Sequence, residues 1–425
     1  MSENVLSAAL IAKAQSVLPN DALRAVRESA LPEFLRQGIP GPRDEDWRYT
    51  NLSTVTRLSE QWLEDIASKP AAMPIARPPL PDVDAHVLLL SNGVVDTEML
   101  AAVQEATADI LSIARLRDSA NAVVAEGPLD SLNATLLQDG LHIVLKPGQR
   151  LDKPLAIFIA DGVGTASQTR VIIEAGDNAD MDIIEYHLAG IKAAHFANTV
   201  TQLELAAGAR AGFVRVQVRD SGHSQVGKLS ARLQRDATLD YASFDLGGSM
   251  IRQDVFADIL GAGALVKMHG LYLATGQQFV DNHTRVDHRI GPAASREEFR
   301  GILNGRARCV FNGKAVVHKG ADGTDAEQSN HNLLLSDKAE VDTKPELEIY
   351  AEDVKCSHGA TIGQLDKVAL FYMQSRGLDR DQAAHLLTRA FAAQILAKLP
   401  IESIRAHLET LIDAKLDLLL EESAP

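Results

Sequence analysis

From Phe213 to Arg219 the chain reads FVRVQVR, with Val214, Val216 and Val218 alternating with Arg215, Gln217 and Arg219. Successive side chains of a strand point to opposite faces, so a period of two predicts an extended segment with one valine face and one polar face. Short runs of the same kind continue on both sides. Residues 143–145 lead into Pro147-Gly148, 155–159 into Asp161-Gly162, and 171–174 into Gly176-Asp177. Further on, strand candidates cover 229–233, 239–246, 255–260, 265–273, 280–288, 302–311, 315–318, 328–334 and 347–350. Amphipathic helix is nearly absent from about 141 to 355.

More than two hundred residues of short strands, with Gly, Asp and Asn at the corners, suit a β-solenoid better than a sandwich. Hairpin signals at Asn304-Gly305 and Asn312-Gly313 are too few to join every successive pair. No crisp hexapeptide or nonapeptide repeat is present, so the expectation is a mainly β protein built on an irregular right-handed parallel β-helix. A large double sheet or jelly roll is the alternative. Aromatic residues are only 4% of the chain, which leaves the core to Leu, Val, Ile and Ala.

Helices flank this region. Leu6, Leu10, Ala14, Val17 and Leu18 keep helical spacing, and residues 22–37 repeat it in two shorter pieces around Pro32. Ile39-Pro40-Gly41-Pro42 breaks the chain, and the following RDEDWRY, residues 43–49, reads as a solvated turn with a buried Trp47. Five prolines between Lys69 and Pro81 predict a linker. A strand over 87–90 ends at Ser91-Asn92-Gly93, and a helical excursion spans about 96–137. Near the C-terminus, Asp379 and Gln382 read as a capping box. The stripe Ala383, Leu386, Leu387, Ala390, Phe391 and Ile395 runs to Pro400, and a last helix covers about 402–420. These two helices predict an αα-hairpin that either caps the solenoid or offers a face to a partner. The domain expectation is a helical domain and linker over 1–84, a β-helix core over 85–355 and a helical domain over 356–425.

With 42 Lys+Arg against 57 Asp+Glu, the net charge of −15 argues against binding nucleic acid or an anionic membrane surface. Two cysteines, Cys309 and Cys356, cannot make a disulfide framework. The first residues lack the apolar stretch of a secretory signal, and no run of eighteen apolar residues occurs, so a cytoplasmic protein is expected. Gly222, Gly227 and Lys228 have P-loop spacing, but Leu229 replaces the hydroxyl, and no H-E-x-x-H, C-x-x-C or G-x-S-x-G is present.

Chemistry is concentrated in KCSHGATIGQLD, Lys355 to Asp366, followed by LFYMQSRGL from Leu370 to Leu378. In an extended segment Cys356 and His358 project to one face, and thiolate and imidazole are both good ligands for iron. A pair alone cannot close a four-ligand site, so this is one half of a site. Cys309 reads as a small core residue. His283, Asp287, His288 and His318 could stack about one turn apart, yet hydrogen-bonded histidines on strand faces are the simpler reading.

The run from Phe299 to Gly377 resembles the SufB/SufD family of iron–sulfur cluster assembly proteins. The match is carried by Phe299-Arg300-Gly301, Gly305-Arg306-Ala307, Phe311-Asn312-Gly313-Lys314, Ala326-Glu327-Gln328-Ser329-Asn330 and Leu333-Leu334-Leu335-Ser336. It continues through Ala339 to Ile349, Cys356 to Gly363, Leu370-Phe371-Tyr372 and Ser375-Arg376-Gly377. Asp44 to Thr50 adds to it near the N-terminus, and Leu132-Asn133 with Asp139-Gly140 extends it weakly. SufB proteins usually carry an acidic E-H-E-A-type segment where this chain has Cys356-Ser357-His358-Gly359-Ala360-Thr361, and more cysteines elsewhere, so the resemblance is to the SufD branch.

The resemblance implies a non-enzymatic scaffold with the parallel β-helix fold. Its partners are SufB, paired through the β-helix, and the SufC ATPase, docked on the C-terminal helical region. His358 then lies at the SufB–SufD interface and takes part in cluster formation with a SufB cysteine, with Cys356 as the neighbouring thiol. Metal enters only as part of that shared site. Phe371, Tyr372, Arg376 and Phe391 are the candidates for the SufC surface or its support. No cofactor held tightly by the isolated chain is implied. A transient iron–sulfur cluster is shared with SufB, and a reduced flavin in the complex and a homodimer in isolation are left open. Two other classes compete: a β-helix carbohydrate-active enzyme with a carboxylate pair such as Asp281 and Asp287, and a self-contained Cys/His metalloenzyme.

Overall fold

A computed structural model of the protein describes residues 6–68, 77–120, 123–161, 164–190 and 193–421. Most of the proline-rich stretch, residues 69–76, lies outside the described residues, and 77–81 carry no regular structure. The chain begins with three helices, α1 (Ala8–Val17), α2 (Arg24–Gln37) and α3 (Ser53–Ser68). Next come β1 (His86–Ser91), β2 (Val94–Val95), α4 (Thr97–Thr107), β3 (Leu111–Arg115), α5 (Pro128–Leu136) and β4 (Leu141–Leu145). The long strand run holds β5 (Leu155–Ala160), β6 (Ala166–Ala175), β7 (Asp180–His187), β8 (His195–Leu205), β9 (Arg210–Gln217), β10 (His223–Leu233), β11 (Thr238–Asp245) and β12 (Met250–Ile259). It ends with β13 (Leu265–Ala274), β14 (Phe279–His288), β15 (Ala294–Leu303), β16 (Arg308–Val317), β17 (Asp325–Leu334), β18 (Glu340–Ile349) and β19 (Lys355–Gly363). Three helices close the described chain: α6 (Lys367–Ser375), α7 (Arg380–Leu396) and α8 (Arg405–Glu421).

From β4 to β17 each strand pairs in parallel with the strand after next, and from β5 onward none pairs with its neighbour in sequence. Odd strands build one sheet and even strands the other, which makes a flattened parallel β-helix of two facing sheets. Asp325 stands between Ala294 and Lys355 in register, so one turn takes about 30 residues. That long repeat replaces the hexapeptide or nonapeptide period whose absence is plain in the sequence. The parallel register excludes the jelly roll, because antiparallel pairing among the described residues is confined to β1–β2 and β3–β4.

Neither hairpin signal makes a hairpin. Asn304-Gly305 turns the corner between β15 and β16, which lie in opposite sheets, and Asn312-Gly313 sits inside β16. Gly313 is required by packing: a Cβ there would stand 2.1 Å from Gln328 Nε2.

The FVRVQVR segment, residues 213–219, has both faces buried. Phe213, Arg215 and Gln217 turn into the space between the sheets, where Arg215 Nη1 donates to Asp245 Oδ1 at 2.7 Å. Val214 and Val216 turn outward into a second apolar layer that includes Ile395, Leu408, Ile412 and Leu416 of α7 and α8. The C-terminal hairpin therefore lies along the outer face of the odd sheet, against β13 and β15, and does not cap the solenoid. The reason is the amount of apolar surface on that face, with Leu271, Leu273, Ile302 and Leu333 all buried there.

The N-terminal helices cover the outer face of the even sheet through Ala166, Phe196 and Val226. Helix α2 runs through Pro32 instead of breaking into two pieces. Its buried face, Arg27, Ala30 and Phe34, packs beside α5, and Arg27 Nε donates to Leu137 O at 2.7 Å. Proline costs one helical hydrogen bond, which that packing offsets. The helical excursion is interrupted by β3, whose Leu111 and Ile113 are buried where it closes the even sheet beside β4. The capping box at Asp379 and Gln382 is formed.

Candidate functional site

β18 and β19 are the last strands of the two sheets. Beyond them no further strand continues either ladder among the described residues, so the interior opens at this end. The β-helix extends past residue 355, because Cys356 and His358 lie on its final strand and not at the head of the helical region.

In-register neighbours on parallel strands point to the same face. Ala326, Gln328 and Asn330 are buried facing inward, and Cys356, His358 and Ala360 stand beside them in register. Thiol and imidazole thus project together toward the mouth. Across it, Val341, Thr343 and Pro345 of β18 stand beside Cys309, Phe311 and Gly313. Cys356 is half-buried, and burial raises its thiol pKa against a backbone hydrogen bond from Ala326 that favours the thiolate. His358 is exposed, and no hydrogen bond reaches its ring among the described residues.

One turn inside, Gln328 Nε2 donates to Glu297 Oε2 at 2.9 Å, and the Thr284 hydroxyl donates to the other carboxylate oxygen. Burial pushes the Glu297 pKa up to about 7, although both hydrogen bonds favour its charged form. Next along the interior, Tyr272 donates to Asn332 Oδ1 at 2.5 Å and accepts from Asn330 Nδ2 at 3.0 Å. Polar side chains therefore share the interior near this end with Phe299 and Phe311. Sequence reading missed Glu297 and Gln328. The signal was available: Ser295, Glu297 and Phe299 alternate on one face, and an inward Phe299 takes Glu297 inside with it.

His318, His288 and His283 each lie beside a local polar group. His318 Nε2 lies 2.6 Å from Asp287 Oδ1, His288 Nε2 lies 2.9 Å from Ser295 Oγ, and His283 Nε2 lies 3.0 Å from Asp281 Oδ1. Of the four residues expected to stack, only Asp287 and His318 meet. Among the described residues, no group of three or more His, Cys, Asp and Glu side chains is placed to hold a metal ion. Asp281 is fully buried, taken up by Arg252 and Thr50, and Asp287 is bound by Arg285, so the pair is not free in an open groove.

Beyond the mouth, α6 buries none of its residues. Val368, Phe371 and Tyr372 are 75%, 72% and 58% exposed on one face of it. Arg376 donates to the Tyr372 hydroxyl at 3.0 Å. Phe391 stands apart on α7, partly buried, with the Arg300 guanidinium 4.7 Å from its ring centre. It supports the hairpin, whereas Phe371 and Tyr372 share the exposed helix, with Arg376 at its C-cap. Val368 was not singled out from the sequence, although its i, i+3, i+4 spacing to the two aromatics marks the same stripe.

Two family models account for nearly the whole chain. The SufBD core domain of SUF system FeS cluster assembly matches residues 158–391, and the SufBD protein N-terminal region matches 8–157. The chain belongs to the SufBD family. Within that family, the iron-sulfur cluster assembly protein SufD of Escherichia coli is 31% identical over 91% of both chains. SufD of Bacillus subtilis is 25% identical over 92% of this chain and 94% of its own. A SufBD family protein of Synechocystis is 26% identical over 98% of this chain and the whole of its own. The SufBD core match contains β19 and α6, so the open end and the exposed helix both fall within family sequence. Among the described residues no helix is long and apolar enough to cross a membrane.

Proposed function

We propose that this chain is a SufD-type scaffold subunit of the SUF system, which contributes one side of a shared iron–sulfur cluster assembly site and performs no catalysis alone. The cluster is cargo here. The observation that carries the reading is the inward pairing of His358 and Cys356 on the last turn of an uncapped β-helix. Two facing edge strands, one from each sheet, suit continuation by a SufB-type β-helix, which supplies the missing ligands. Exposed Ile349, Tyr350 and Ile362 around that end support the same docking. The stripe on α6 supports docking of a SufC-type ATPase, whose nucleotide-driven movement is passed to the interface through the rigid solenoid.

The test is cluster assembly by a complex reconstituted with SufB-type and SufC-type partners. His358→Ala is expected to fold and assemble normally but to abolish cluster formation. An unimpaired cluster yield removes His358 from the site.

A further inference from the structure

We infer that Gln328 is a positioning residue for His358, holding the imidazole in one tautomer from inside the β-helix, and that Glu297 holds Gln328 in turn. This rests on the proposed role of His358. Gln328 and His358 are register partners on β17 and β19 and face the same way. Gln328 is 5% exposed, and its amide nitrogen is committed to Glu297 on the inner turn. Its oxygen is buried with no hydrogen-bond partner among the described residues. The nitrogen and oxygen of one amide diverge, so fixing the nitrogen inward leaves the oxygen for the outer turn. An unsatisfied buried acceptor is costly, and the cost is removed when a donor arrives. His358, its register partner one strand spacing away, carries a ring N–H that would supply that donor.

Three features prepare the contact. Gly313 leaves the space that the Gln328 amide occupies. Thr284 and Gln328 bind both oxygens of Glu297, so the inner end of the chain of hydrogen bonds cannot swing freely. The Thr343 hydroxyl on the facing strand is also buried without a partner among the described residues, as expected where a mouth is completed by another group. A ring N–H given to Gln328 leaves the second nitrogen as a lone pair toward the partner subunit. Ligating histidines are commonly oriented by such an outer acceptor, whose removal lowers metal affinity or activity about 10–100-fold.

The test uses the full chain labelled with 15N-histidine, in complex with its SufB-type and SufC-type partners, and His358→Ala to assign the signal. Wild type is expected to show His358 as a single tautomer. Gln328→Met is expected to give mixed tautomers and about a tenfold lower rate of cluster formation. Exchanging the pair, Glu297→Gln with Gln328→Glu, trades donor and acceptor while keeping both bonds, and is expected to restore one tautomer and a rate within about twofold. An unchanged tautomer in Gln328→Met overturns the inference, as does an exchanged chain that folds but stays mixed. If Gln328→Met fails to fold, the exchanged chain decides alone. A fully active His358→Ala complex is a different result, because it overturns the functional reading itself.

Discussion

The guanidinium of Arg252 lies 3.7 Å from the centre of the Trp47 ring, and this stacking fastens the N-terminal segment to the even sheet. Arg252 also donates from Nη1 to Asp281 Oδ2 at 3.0 Å and to the Asp46 carbonyl at 2.7 Å. The segment 43–49 is therefore docked by a buried cation, with Trp47 as the lid over it.

Removing Arg252 leaves Asp281 buried beside His283 without its guanidinium partner. Arg252→Ala is expected to cost about 3–5 kcal/mol, and Trp47→Ala a similar amount. Because the two touch, the double variant should lose clearly less than the sum. Urea unfolding of the three variants checks this, and simple additivity would mean that the stacking contributes nothing.

Glu297 makes stability depend on pH in a defined direction. Its folded pKa is raised to about 7 from an ordinary 4.5, so the unfolded chain releases this proton first. Its contribution is fully present below about pH 4.5, falls as pH rises toward 7, and is flat above that. The total is about 3 kcal/mol. Glu297→Gln is expected to remove that slope, so its advantage over wild type is larger at pH 8 than at pH 5. Denaturant midpoints at the two pH values measure it.

Phe371 and Tyr372 make no buried contact, so replacing them should leave the fold intact. The double variant Phe371→Ala, Tyr372→Ala is expected to change unfolding free energy by no more than about 0.5 kcal/mol. Capture of a SufC-type ATPase should weaken about tenfold or more, as for exposed aromatic anchors. Phe391→Ala should do the reverse, lowering stability with less effect on capture. Calorimetric binding alongside thermal unfolding separates the two.

Much of this was legible in residue order. The alternation in 213–219 and its relatives settles extended structure, and the scarcity of turn pairs favours strands that do not return as hairpins. The Asp379–Gln382 cap sets the start of α7 locally. The spacing of Cys356 and His358 puts them on one face of whatever strand carries them. The positions of Glu297 and Gln328 were harder to read, because a polar residue on an alternating strand looks like a solvent-facing one until the direction of its neighbour is known.

Periodicity is a local property, set by the backbone geometry of one strand, and it alone determined the mainly β character, the helical flanks and the shared face of the thiol and imidazole. Which face turned inward was decided only when distant segments met. Val214 and Val216 look out because α7 and α8, nearly two hundred residues away, cover them, while Arg215 looks in because Asp245 of the next turn receives it. The same choice drew the C-terminal hairpin along the side of the sheet, where more apolar surface was available to bury, and so left the last turn uncovered.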